Sequence, residues 1–138
     1  MRIALHCRRG NRFYCRATTR TYQPQQKPLI KICGVTNVSD AELVAKAGAD
    51  FVGMILWPKA RRGISVDTAA EIAETVKRAG AQPVAVFVDE DFADIVKTCK
   101  ATGIQIAQLH GKSARQALPD LPVWLKVPAF PSVGLFSC

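Results

Sequence analysis

The sequence predicts an α/β fold: a parallel sheet wound with helices in the manner of a (βα)8 barrel, with about five of the barrel's strands present. Three observations predict it. From Leu29 onward, short β-like runs alternate with helical patterns; each of the longer helical patterns carries one apolar stripe; and two strands place polar side chains near their C-terminal ends.

The first strand is read at Leu29–Cys33, "LIKIC". Ser39, with Glu42 three residues on, forms a capping box for a helix through "AELVAKAG", and Gly48 supplies its stop. The second strand is Phe51–Leu56. A second helix repeats Ala69, Ile72, Ala73 and Val76 at i, i+3, i+4 and i+7 and ends near Gly80. After the third strand, Val84–Val88, a third helix repeats Phe92, Ile95, Val96 and Cys99 in the same register and ends near Gly103. A fourth strand at Ile104–Leu109, a shorter helix around Ser113–Leu118 and a fifth strand at Val123–Val127 complete the pattern.

Strand, helix and strand at this interval make right-handed βαβ units, which leaves a doubly wound sheet and a barrel as the architectures. Central strands of a doubly wound sheet run continuously apolar, whereas barrel strands carry polar groups inward at their C-terminal ends, where active sites sit. Side chains alternate across a strand, so Lys31 and Cys33 share one face and Ile30 and Ile32 the other. Gln108 and His110 likewise share a face, with Ile104 and Ile106 beneath them. With the isoleucines on helices, Lys31 and Cys33 point into the barrel.

Most strand cysteines are small buried hydrophobes. Cys33 differs in standing at a strand's C-terminal end, on the face of a lysine whose charge favours thiolate, and near a helix start. Cys99 takes the packing role, as a member of a helix stripe. The segment "WPKARRGIS", Trp57 to Ser65, puts a basic loop after the second strand, suited to an anionic substrate; Arg61 and Arg62 could each clamp a carboxylate, and the sequence does not rank them.

The formal charge of +8 points toward nucleic acid until its placement is read. Residues 1–28 hold seven of the 19 Lys and Arg and no acid, which leaves twelve bases against eleven acids in residues 29–138. The basic character belongs to an arginine-rich, acid-free extension with the composition of an organellar transit peptide, the alternatives being a disordered basic tail or a misassigned start codon. Residues 29–138 form the folded part. No run approaches the roughly 18 apolar residues of a membrane span, so a soluble protein is expected, with neither nucleic acid nor membrane as partner. Five cysteines, Cys7, Cys15, Cys33, Cys99 and Cys138, include no CxxC pair and no histidine at ligand spacing, which argues for reduced thiols and against a metal. Neither GxGxxG nor GxxxxGK[ST] occurs.

The stretches "KICGVTNVSDAELVAKAGADFVGMIL", "PKARRGIS", "VAVFVDE" and "IQIAQLHG" resemble, in order and spacing, the phosphoribosylanthranilate isomerases of tryptophan biosynthesis, over about Leu29 to Val127. The resemblance implies a TIM-type barrel and an Amadori rearrangement in which N-(5-phosphoribosyl)anthranilate, a small phosphorylated substrate, becomes the aminoketose without cofactor or metal. It implies that Cys33 is the general base at C2′ and that Arg62 holds the anthranilate carboxylate. Gln108 and His110 then line the pocket, and Lys31 is an interior cation that keeps Cys33 reactive. It also implies a plastid location, or the cytoplasm if residues 1–28 are no transit peptide. The family's general acid and phosphate-site loops match nothing in this chain, so the expectation is a truncated, inactive barrel with open edges that invite self-association. A non-catalytic half-barrel interaction module is the alternative. Indole-glycerol-phosphate synthase is disfavoured, because those enzymes rely on strand lysines and glutamates without a KICG cysteine.

Overall fold

The computed structural model describes residues 28–128. The basic extension up to residue 27, with Cys7 and Cys15, and the closing segment with Cys138 lie outside the described residues. The elements run β1 (Lys31–Cys33), α1 (Val38–Lys46), β2 (Phe51–Ile55), α2 (Val66–Arg78), β3 (Gln82–Phe87), α3 (Phe92–Thr102), β4 (Ala107–Leu109), α4 (Lys112–Gln116) and a 3₁₀ turn at Leu118–Asp120. All four strands are parallel and lie in chain order, β1-β2-β3-β4, the arrangement that successive right-handed βαβ units produce.

The sheet has two inner layers. Val52 and Met54 of β2, Ala85 and Phe87 of β3, and Ala107 and Leu109 of β4 face the helices, where they meet Ala69, Ile72, Ala73 and Val76 of α2 and Ile95 and Cys99 of α3 in one buried cluster. All four α2 stripe residues read from the sequence are fully enclosed. In α3 the stripe is narrower than its spacing suggested: Ile95 and Cys99 are buried, but Phe92, in the first turn, is exposed. The opposite face carries Val84, Val86 and Ile106, also buried but outside that cluster.

Local bonds set the element ends. Helix α1 is capped by Asn37, whose side chain accepts the Asp40 N–H at 2.8 Å, and not by Ser39, which lies one residue inside the helix. Glu42 instead pairs with Lys46 one turn on, and that hydrogen bond holds its carboxyl below the ordinary value. Gly48, Gly80 and Gly103 follow α1, α2 and α3 with positive φ, as the stop signals required. Strand β1 begins at Lys31 because the Ile30 N–H goes to the Asp50 carboxylate. Strand β3 begins two residues before the expected Val84, since the Gln82 N–H reaches Asp50 O and Pro83 near the strand start has no donor to lose. Strand β4 is shorter than expected, with Ile104 held back to Cys99 O at the end of α3.

The expected fifth strand, Val123–Val127, is absent as a strand. A turn closed by Leu125 N–H to Pro122 O occupies its first half, and the pairing is a single parallel bridge, Ile106 with Lys126, bonded in both directions at Gln105 O and Ala107 N. Prolines 122 and 128 bracket the segment and supply no donors, so the ladder does not extend. The isoleucines of the first strand do not pack on helices either: Ile30 is 47% and Ile32 40% exposed, because α1 lies over β2 and leaves the outer face of β1 uncovered. No helix among the described residues is long and apolar enough to cross a membrane.

Candidate active site at the C-terminal ends of the strands

Register places Cys33 beside Gly53, Gly53 beside Val84, and Val86 beside Gln108, so these residues share the face turned away from the helices. Lys31 and Cys33 stand on that face as the alternation required, although the isoleucines opposite them are not packed. The Lys31 ammonium donates to Gln108 Oε1 at 2.8 Å across 77 residues of chain. Side chains rising from the outer strands of a flat four-stranded sheet would stand roughly 14 Å apart, so the bond is reached because the sheet curls toward this face. Lys31, Cys33 and Gln108 are each half-buried.

The chain turns sharply after Cys33. Gly34 has φ +83, and its N–H and that of Val35 both donate to Gly53 O, at 2.8 and 3.2 Å. A side chain at Gly34 would be strained by that φ and would also meet the Arg62 guanidinium, whose Cζ lies 2.7 Å from where a Cβ would stand. Arg62 lies flat over this turn, with Nη1 3.4 Å from Cys33 O, a long contact that marks proximity more than bond strength.

The basic loop is held for that approach. Ala60 N–H donates to Trp57 O, Gly63 N–H to Ala60 O, and Ile64 N–H to Ile55 O, while Gly63 bridges to Ile55. The residue pattern alone left the two arginines equal; of the two, Arg62, the one the resemblance pointed to, is placed against the Cys33 turn. The Lys59 ammonium, 6.0 Å from the Trp57 ring centroid, belongs to the outer part of the loop.

Four of the five expected site residues thus come together: Lys31, Cys33, Arg62 and Gln108. His110 lies just past β4, exposed, its backbone N–H donating to Phe87 O at 2.8 Å. Gly53, in the midst of the set, was not singled out from sequence, although a glycine interrupting "FVGMIL" is a signal for close approach. The other described cysteine takes no part. Cys99 is 1% exposed inside the helix–sheet core, where burial pushes its thiol up to about 12.

Together these groups set a thiol, two cations and an amide at the mouth of a curled parallel sheet, an arrangement suited to proton transfer on an anionic substrate. The family described as N-(5'phosphoribosyl)anthranilate (PRA) isomerase matches residues 30–133. The chloroplastic N-(5'-phosphoribosyl)anthranilate isomerase 3 of Arabidopsis thaliana is 41% identical over 97 residues, which are 70% of this chain and 40% of that protein. The Thermotoga maritima phosphoribosyl anthranilate isomerase structure superposes with a TM-score of 0.61 at 31% identity, over 69% of this chain and 48% of the other. A further solved isomerase of this kind, in complex with reduced 1-(o-carboxyphenylamino)-1-deoxyribulose 5-phosphate, gives a TM-score of 0.61 at 31% identity, over 69% of this chain and 50% of the other. The chain therefore spans about two fifths of the length of the plant relative and about half of the solved structures. With its parallel α/β fold in common with those TIM-type barrels, this chain belongs to the phosphoribosylanthranilate isomerase family.

Proposed function

We propose that residues 29–127 supply the base-bearing half of a phosphoribosylanthranilate isomerase site. The observation that carries the reading is the convergence of Cys33, Lys31, Gln108 and Arg62 on one face at the C-terminal ends of the strands. In the Amadori rearrangement the ribose ring opens and a proton leaves C2′, taking the aminoaldose through an enol-amine to the aminoketose. Cys33 takes that proton as the general base. Arg62 clamps the anthranilate carboxylate, its guanidinium being suited to a planar anion. Lys31, fixed by Gln108, adds positive charge beside the sulfur. His110 and Gln108 line the substrate side, and no cofactor enters the scheme.

Ring opening also needs a proton donor, and the substrate phosphate needs an anion site; both belong to the remainder of the family barrel. Residues 29–127 on their own are therefore expected to be inactive. A plastid location accompanies this reading, supported by the chloroplastic plant relative and the acid-free basic extension. The uncovered outer face of β1, with Ile30 and Ile32 exposed, favours a second reading in which the half-barrel associates with another copy; sedimentation equilibrium distinguishes a monomer from that dimer.

Complementation of a tryptophan auxotroph lacking the isomerase tests the reading. The chain co-expressed with the C-terminal half of a relative is expected to restore growth, and the same pair carrying Cys33→Ser is not. Growth of the Cys33→Ser pair would overturn the assignment of the base.

A further inference from the structure

We propose that Gly53 is a positioning residue of this site: the missing side chain in the middle of β2 is what lets the Lys31 ammonium stand beside the Cys33 sulfur. The inference rests on the reading of Cys33 as the base. A Cβ placed on Gly53 would lie 3.0 Å from Cys33 Sγ, 3.1 Å from Lys31 Nζ and 3.3 Å from Cys33 Cα. The ammonium and the sulfur therefore converge on the same small space above one backbone atom.

Glycine is not needed there for conformation. Among the described glycines, Gly34, Gly48, Gly80 and Gly103 have the positive φ that side chains avoid, and Gly53 does not. Its backbone lies in a regular parallel ladder, paired with Cys33 on one side and Val84 on the other. A strand glycine in ordinary conformation weakens the strand, and its remaining use is to let another group approach closely.

β1 cannot simply lift away from an added methyl, because Gly53 O holds the N–H groups of both Gly34 and Val35. The yielding parts are the side-chain tips. The Lys31 ammonium ends a four-carbon stem and swings out, abandoning Gln108; the Cys33 sulfur turns about χ1. Val52 and Met54, on the opposite face of β2 in the buried core, keep their packing. A methyl at position 53 thus separates cation from thiol and leaves the fold in place.

The test uses the whole chain and the labelling rates of Cys33 by iodoacetate, an anion, and iodoacetamide, which is neutral, read by mass spectrometry of the Cys33 peptide. A neighbouring cation speeds the anionic reagent selectively, so the ratio of the two rates reports the ammonium. Gly53→Ala is expected to lower that ratio at least threefold, and to change it no further when Lys31→Ala is already present. A ratio that holds or rises in Gly53→Ala, or falls equally in the Lys31→Ala background, overturns the proposal. Cys99 monitors the fold through its protection from both reagents. If Gly53→Ala exposes Cys99, Lys31→Ala with Cys33→Ala must restore its protection by removing the colliding tips, and failure to do so also overturns the proposal. Neither reagent depends on turnover, so loss of this role for Gly53 leaves the assignment of Cys33 to complementation.

Discussion

Cys33 and Cys99 are the same residue in two surroundings. Cys33 sits half-buried on an edge strand, on the face turned from the helices, with Lys31 and Arg62 close by. Cys99 sits between α3 and the sheet among Ile72, Phe87 and Ile104, with no room for charge. The difference teaches that the two faces of one thin sheet do separate work. The helix side holds the fold by excluding water, and the other side spends packing on cations that a stable core would reject.

Alkylation gives the largest contrast. With its thiol pushed up to about 12, Cys99 carries about 10⁴-fold less thiolate than thiol at pH 8, so in the native chain Cys33 should label by iodoacetamide at least 10³-fold faster. Comparable rates would dissolve the comparison. Truncations on the helix side are next in size. Phe87→Ala should cost about 3–5 kcal/mol in urea unfolding, whereas Ile32→Ala, on the uncovered edge, should cost less than about 1 kcal/mol.

The pH dependence of Cys99 follows from the sign of its shift. The native thiol holds its proton up to about 12, while the unfolded chain releases it near the ordinary value of 9.0, so this contribution is complete below pH 9 and disappears as pH rises through 12. Between pH 8 and 10.5 the wild type should lose about 2 kcal/mol more stability than Cys99→Ala, as measured by urea unfolding at both pH values. Asn37→Ala should cost about 1 kcal/mol by removing the α1 cap, and Ser39→Ala much less, a pair that denaturant midpoints separate.

What the sequence carried depended on whether a signal was local. The α2 stripe was legible because four apolar residues at helical spacing have one way to be buried together, and the alternation of β1 put Lys31 and Cys33 on the correct face. The α1 cap was misplaced because Ser39 and Asn37 both satisfy cap chemistry, and it is Asn37 that takes the extended backbone of a cap, at φ −147 and ψ 163. Val123–Val127 carries the composition of a strand, but the flanking prolines limit it to one bridge. The Lys31–Gln108 bond and the space over Gly53 join residues through the curl of the sheet, a property of four strands together that no single window displays.

The proposed chemistry turns on Cys33 as the base. The most direct measurement is turnover of a hybrid joining residues 29–127 to the C-terminal half of the Thermotoga maritima enzyme, on substrate with hydrogen or deuterium at C2′. A primary isotope effect is expected for the hybrid, and a loss of roughly 10²–10⁴-fold in kcat when it carries Cys33→Ser. A Cys33→Ser hybrid that turns over at the unsubstituted rate, with its isotope effect intact, would contradict it.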